Sequence, residues 1–177
     1  MSDSKDPQPS LDILTPKGQL AWAACRAAVE AVVASAKYEV VEMPVDDLAP
    51  FDVILRRVKD NRIFLCEVKA RWMSSEELYS KFRGRWLISL DKIEALRALG
   101  KFGHVDTAGL LYCMKDGDIL LKHFSFQDGR LAAPYFAVAS TTQRTVNGRQ
   151  VERNNAYVEI ENPEVFHAKA WPTKPWQ

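Results

Sequence analysis

The longest hydrophobic period in the chain runs from Gly18 to Ala36, where Trp22, Cys25, Val29, Val32 and Val33 recur at helical spacing in an alanine-rich stretch. This predicts a helix with one face packed on a neighbour. Residues 37–43 read as a strand, and 44–50, bounded by prolines and carrying two aspartates, as a connector. The period then shortens to two. Phe51-Asp-Val-Ile-Leu-Arg-Arg-Val and Ile63-Phe-Leu-Cys-Glu-Val-Lys-Ala are both strand-like, and Lys59-Asp-Asn-Arg62 between them predicts a hairpin with a two-residue loop. Ser74-Ser75-Glu76-Glu77 starts an amphipathic stretch that runs to Trp86 and is broken at Gly84. A clearer helix follows over 91–100, with Ile93, Leu96 and Leu99 on one face and Gly100 as its C-terminal glycine. Residues 107–114 and 118–124 flank a second hairpin turn at Lys115-Asp116-Gly117, and 135–140 and 156–160 read as strands around a long polar loop. The order is that of a single mixed α/β domain over residues 18–161, after a loose arm (1–17) and before a tail (162–177).

Composition narrows the classes. At 177 residues the chain can bury one real core, and no apolar run is long enough to cross a bilayer. Its N-terminus is polar and unlike a secretory signal. Cys25, Cys66 and Cys113 lie far apart in apolar stretches, the pattern of buried free thiols in a reducing cytoplasm. With 24 Lys and Arg against 23 Asp and Glu, the chain lacks the strongly basic balance of many nucleic-acid binders. Basic residues do cluster locally, at Arg56, Arg57, Lys59 and Arg62, then at Arg71, Lys81, Arg83 and Arg85, and the loop 141–155 carries Arg144, Arg149 and Arg153. Trp72 and Trp86 read as core. His104, His123 and His167 have no zinc spacing, and neither a Gly-x-Ser-x-Gly elbow nor a Gly-rich phosphate loop is present.

The first hairpin carries the chemistry. A two-residue loop at Asp60-Asn61 sets Lys59 opposite Arg62, hence Ile54 opposite Glu67 and Asp52 opposite Lys69. Side chains alternate faces along a strand, so Asp52, Ile54, Glu67 and Lys69 share one face. Asp52 and Glu67 become diagonal neighbours, about 7–8 Å apart at the backbone. Val53, Leu55, Phe64, Cys66 and Val68 take the other face. A plain cross-strand ion pair between Asp52 and Lys69 would stabilise the fold by no more than about 1 kcal/mol. Charges at the end of the apolar run Ile63-Phe-Leu-Cys are costly unless compensated, however, and a divalent cation would compensate them.

Phe51-Asp52-Val53-Ile54, with Pro50 just before it, and Phe64-Leu65-Cys66-Glu67-Val68-Lys69-Ala70 resemble the PD-(D/E)xK motif of restriction-endonuclease-like nucleases. Leu87 to Gly103 followed by Ala108 to Cys113 is similar to the helix and strand of archaeal Holliday-junction resolvases, so the likeness covers about residues 25–124. It implies a restriction-endonuclease-like core, a mixed central β-sheet flanked by helices. It also implies Mg²⁺ or Mn²⁺ held by Asp52, Glu67 and the backbone carbonyl of Val68, with Lys69 positioning or activating the attacking water. Glu30 is the candidate for the helix-borne glutamate that often joins such sites. Arg71, Lys81, Arg83 and Arg85 are the candidates for contacts to a DNA backbone. The expected activity is metal-dependent hydrolysis of phosphodiesters in duplex or branched DNA, in phage, repair or recombination processing in the cytoplasm, with a homodimer as a candidate assembly. The alternative is a non-catalytic module that keeps the nuclease fold to bind nucleic acid or protein. The intact Asp52, Glu67 and Lys69 favour the enzyme; the near-neutral charge favours the module.

Overall fold

The computed structural model describes residues 16–44, 49–144 and 150–174. Most of the expected arm and part of the 44–50 connector therefore lie outside the described residues. Helix α1 spans Pro16–Ala34 and leads into β1 (Tyr38–Glu42), β2 (Val53–Arg57) and β3 (Ile63–Arg71). Helix α2 (Ser75–Phe82), β4 (Arg85–Ser89) and α3 (Leu90–Gly103) follow, then the hairpin of β5 (Asp106–Cys113) and β6 (Asp118–Ser125). A second hairpin, β7 (Tyr135–Arg144) and β8 (Gln150–Glu159), precedes β9 (Glu164–His167). Six strands form one mixed sheet in the order β1-β2-β3-β5-β6-β9, in which only β3 and β5 run parallel. The outer strands of this sheet meet through side chains: Tyr38 Oη donates to Glu164 Oε2 at 2.8 Å and stacks edge-on against Phe166. The sheet is therefore strongly curled.

Alternation sorts the core into two layers. Val53, Leu55, Phe64, Cys66 and Val68 join Ala108, Leu110 and Tyr112 beneath Ala24, Ala28 and Val32 of α1. Leu65, Leu111, Leu120 and Phe124 face the other way, against Ile93 and Leu96 of α3 and Trp86, Ile88, Ala156 and Val158 of the smaller sheet β4-β8-β7. Every residue of β5 is buried, as expected for a central strand covered on both faces. Gly109 lies where Trp86 and Phe124 cross the sheet, and a Cβ there would land on both rings.

Several local expectations are revised. The first hairpin turn is a four-residue loop, Val58 to Asn61, closed by Arg57 N–H to the Arg62 carbonyl at 2.8 Å. Asn61 takes the left-handed conformation (φ 56°), and Asp60 accepts from the Arg57 guanidinium at 2.9 Å and from the Arg62 N–H at 3.4 Å. Such a compact, side-chain-braced loop outcompetes the weak two-residue signal of Asp-Asn. Helix α2 ends at Phe82, where Arg83 and Gly84 both adopt positive φ, so Arg85 to Ser89 become a strand rather than further helix. Its start falls at the expected Ser74-Ser75-Glu76-Glu77, where Ser74 and Glu77 bond each other's backbone N–H. Gly100 does not end α3; His104 takes the left-handed cap instead (φ 53°). Gly100 is a packing residue, because a Cβ there would lie 2.6 Å from Thr107 Cγ2. The polar loop expected over 141–155 is mostly the far end of the β7–β8 hairpin. Finally, the segment expected as a tail from 162 supplies edge strand β9, and Trp171 packs on the core.

Gly109→Ala is expected to destabilise the fold by about 1–3 kcal/mol through overpacking against Trp86 and Phe124, read as a lower urea midpoint with an unchanged slope.

Candidate functional site

The ladder between β2 and β3 pairs Val53 with Cys66 and Leu55 with Phe64, two residues away from the register expected for a two-residue loop. A shift of two preserves the faces but changes the partner. Continued by one step, the ladder puts Asp52 beside Glu67, where Lys69 was expected. The strand β2 begins at Val53, and the last ladder bond runs from the Asp52 N–H to the Cys66 carbonyl at 2.8 Å. One step further along β3, the backbone of Val68 has no β2 residue to pair with. The Asp52 side chain takes that place, its Oδ2 accepting the Val68 N–H at 2.7 Å. The Val68 carbonyl faces the same open edge and, among the described residues, meets only the Cys25 thiol of α1, which approaches at 3.6 Å.

Glu67 is wholly buried. Lys69, two residues on and on the same face, brings Nζ to 2.5 Å from Oε1, and Lys92 of α3 brings Nζ to 3.2 Å from Oε2. Lys92 also lies 3.7 Å from Asp52 Oδ1 and donates to the Ala49 carbonyl at 3.4 Å. Each Glu67 oxygen thus faces one ammonium at ion-pair distance, though neither contact has well-aligned hydrogen-bond geometry.

The electrostatics split the two carboxylates. Burial pushes the Asp52 carboxyl above its ordinary value, and the neighbouring Glu67 charge adds to that, against the opposing pull of Lys69, Lys92 and the Val68 N–H. Burial acts the same way on Glu67, but Lys69 and then Lys92 outweigh it and hold its carboxyl below the usual range. Burial alone would lower Lys69; Glu67 and Asp52 override it and hold the ammonium charged. The Cys25 thiol is raised to about 11, mainly by burial, and is neutral at physiological pH. Cys66 and Cys113 are likewise buried free thiols pushed upward by burial.

The structure thus brings together Asp52, Glu67, Lys69 and the Val68 carbonyl. It does not bring Glu30. That residue lies two positions, about 200°, round the helix from buried Ala28; its side chain is exposed and pairs with Arg26 at 3.7 Å. Cys25 is the α1 residue that reaches the cluster. Arg71 is half-buried one alternation beyond Lys69, and burial lowers its pKa. Among the described residues it has no carboxylate partner, its guanidinium donating to the Ala70 carbonyl at 3.3 Å. Lys81 is spent on Glu77 at 2.6 Å on exposed α2. Arg83 and Arg85 line an open groove of about 580 Å³ with Tyr79, Glu159 and Asn162, which includes none of the carboxylate–lysine cluster. Arg85 sits over the Phe136 ring and 3.7 Å from Glu159.

Lys92 was not legible as a site residue. Its neighbours Ile93 and Leu96 mark the buried face of α3, and only the docking of that helix decides that a lysine in its first turn meets Glu67.

Compared with known proteins, the chain matches no family model and no curated protein.

No group of three or more His, Cys, Asp or Glu side chains is placed to hold a metal among the described residues. A cation here would rest on two carboxylates, one carbonyl and water. Hard cations such as Mg²⁺ accept that set, and the buried Glu67 oxygens, held by ionic contacts without well-aligned hydrogen bonds, fit it.

The opposite shifts have opposite consequences for stability. The stabilisation linked to Glu67 is present above its unfolded pKa and lost as pH falls through its lowered folded value. That linked to Asp52 is present at low pH and lost as pH rises through its raised folded value. Asp52→Asn keeps an acceptor for the Val68 N–H and is expected to stabilise the fold by about 1 kcal/mol at pH 7, with the gain vanishing near pH 4. Glu67→Gln removes the carboxylate that Lys69 and Lys92 share, leaving Asp52 to face both ammonium groups, and is expected to cost roughly 3 kcal/mol at pH 7. Urea titrations at the two pH values measure both.

Proposed function

We propose that the chain is a divalent-metal-dependent DNA endonuclease of the PD-(D/E)xK type, resolvase-like in its substrates, acting in the cytoplasm. The observation that carries this reading is the junction at the end of β2. Two carboxylates, Asp52 and Glu67, and the Val68 carbonyl, which accepts only the weak Cys25 thiol among the described residues, lie at one sheet edge, with a charged lysine two residues further along. The mixed sheet with helices on both faces agrees with a restriction-endonuclease-like core.

In this reading Asp52, Glu67 and the Val68 carbonyl hold Mg²⁺ or Mn²⁺, which when bound polarises the scissile phosphate and lowers the pKa of a coordinated water. Glu67 provides the fixed charge, because Lys69 and Lys92 keep its carboxyl ionised. Asp52 is anchored by the Val68 N–H through one oxygen, which leaves the other for a ligand. Lys69 is held protonated by Glu67 and Asp52, so it does not serve as the general base at neutral pH. It orients the attacking water and stabilises the charge that accumulates on the phosphate. Arg71, beyond Lys69 on the same strand and without a carboxylate partner among the described residues, binds a flanking phosphate. Arg83 and Arg85 contribute to the DNA surface from the separate groove.

A second reading, a non-catalytic binding module, is favoured by one observation. The two carboxylates and two lysines already balance each other's charge. Among the described residues no helix is long and apolar enough to cross a membrane.

A cleavage time course with Mn²⁺ on duplex, single-stranded and branched DNA separates the two. The nuclease reading expects Lys69→Ala to abolish cutting while DNA affinity stays within a few fold, since the lysine acts on the transition state. Wild-type protein that cuts none of the substrates would leave the module as the better account. Arg71→Ala is expected to weaken DNA binding and to reduce the slope of log affinity against log salt by about one phosphate contact, measured by fluorescence anisotropy.

A further inference from the structure

We propose that Lys92 is the resident counter-ion of this site and that a divalent cation binds by displacing it. The inference rests on the metal-site reading above and assigns a role to a residue outside the motif. Of the two lysines, Lys92 is the one in ionic contact with both carboxylates, at 3.2 Å from Glu67 Oε2 and 3.7 Å from Asp52 Oδ1. Lys69 contacts Glu67 alone, at 2.5 Å. The ammonium that bridges the acidic pair occupies the place in the charge balance that a bridging metal would take.

The two lysines are not equally easy to move. Lys69 projects from the central strand β3 and makes the shorter contact with Glu67. Lys92 projects from the first turn of α3 and stands farther from Glu67, while the two side chains are about equally exposed. Its third contact is a long bond to a loop carbonyl, 3.4 Å to Ala49. A four-carbon stem lets its ammonium swing outward without moving the helix. Electrostatics favours such a movement. Two carboxylates and two ammonium groups sum to zero, so adding a divalent ion leaves an excess of two positive charges in a half-buried site, and the withdrawal of one lysine halves that excess. The withdrawn ammonium remains beside the site, where an incoming phosphate is its next available partner. Metal and phosphate are then coupled, each favouring the other through the position of Lys92.

The test is calorimetric titration of the full chain with Mn²⁺ alone, in the absence of DNA. Lys92→Gln is expected to bind Mn²⁺ about tenfold more tightly than wild type, the scale of removing one competing charge from a half-buried site. Lys69→Gln removes the same formal charge but leaves the bridging ammonium in place, so its gain is expected to be smaller. Lys92→Arg supplies a forked guanidinium that grips carboxylates more firmly, and it is expected to bind Mn²⁺ several-fold more weakly than wild type. This variant also decides the matter should Lys92→Gln fail to fold. Wild-type affinity unchanged in both Lys92 variants, or a gain in Lys69→Gln at least as large as in Lys92→Gln, overturns the proposal and leaves the metal site standing. No Mn²⁺ binding to any of the proteins overturns the metal site and the role of Lys92 together.

Discussion

A carboxylate with no exposed surface, in the middle of a strand covered on both faces, is the constraint around which this end of the molecule is organised. Glu67 is ionised only because Lys69 and Lys92 stand against it. Lys69 follows automatically from the alternation of β3. Lys92 does not, and its contribution requires that α3 dock with its first turn at this point of the sheet. The same end of α3 carries the helix-dipole positive charge, which also favours a nearby anion. The docking of α3, through Ile93 and Leu96 on Leu65 and Leu111, and the charge state of Glu67 are thus two aspects of one arrangement.

The sheet edge beside Glu67 is shaped by where β2 starts. Had β2 begun two residues earlier, the Val68 N–H and carbonyl would both be spent on an ordinary ladder. Instead the Asp52 side chain satisfies the N–H and the carbonyl is left at the edge, with only a weak thiol donor in contact. Backbone accounting alone therefore creates an oxygen-rich corner. The cost falls on Asp52, whose carboxyl is raised by burial and by Glu67. A substitution that relieves this strain is therefore expected to raise stability.

The remaining architecture keeps the corner rigid. Trp86 lies over Gly109, which pairs with Glu67 across the parallel β3–β5 ladder, so the small sheet is clamped to the large one beside the buried carboxylate. On the other face α1 seats Ala24, Ala28 and Val32 on the strand residues that alternate with Glu67 and Lys69, and Cys25 reaches the Val68 carbonyl. Basic residues that look equivalent in sequence are thereby given different environments. Arg71 is half-buried next to the cluster, Lys81 is neutralised by Glu77 on an exposed helix, and Arg83 and Arg85 border a separate groove.

Much of this was legible in the sequence, for a definite reason. Strand alternation has a period of two, so Asp52, Glu67 and Lys69 share a face whatever even shift the hairpin takes; the expected loop was two residues too short, yet the faces survived the error. Helix α1, the capping box at Ser74 and Glu77 and the β5–β6 hairpin are likewise local, written in periodicity and turn residues. Strand β4 was not legible, because five residues after a helical stretch carry too little pattern; nor was the second sheet, because long polar strands such as the far ends of β7 and β8 look like loop until a partner is found. Gly100 read as a helix stop because the contact with Thr107 that requires a glycine there lies outside the helix. Glu30 and Lys92 show the same limit at the site. Each is a charged residue on a helix, and the angle at which each helix meets the sheet turned one outward to Arg26 and the other inward to Glu67. Local periodicity determined which residues share a face of each element, while long-range packing alone decided which faces meet.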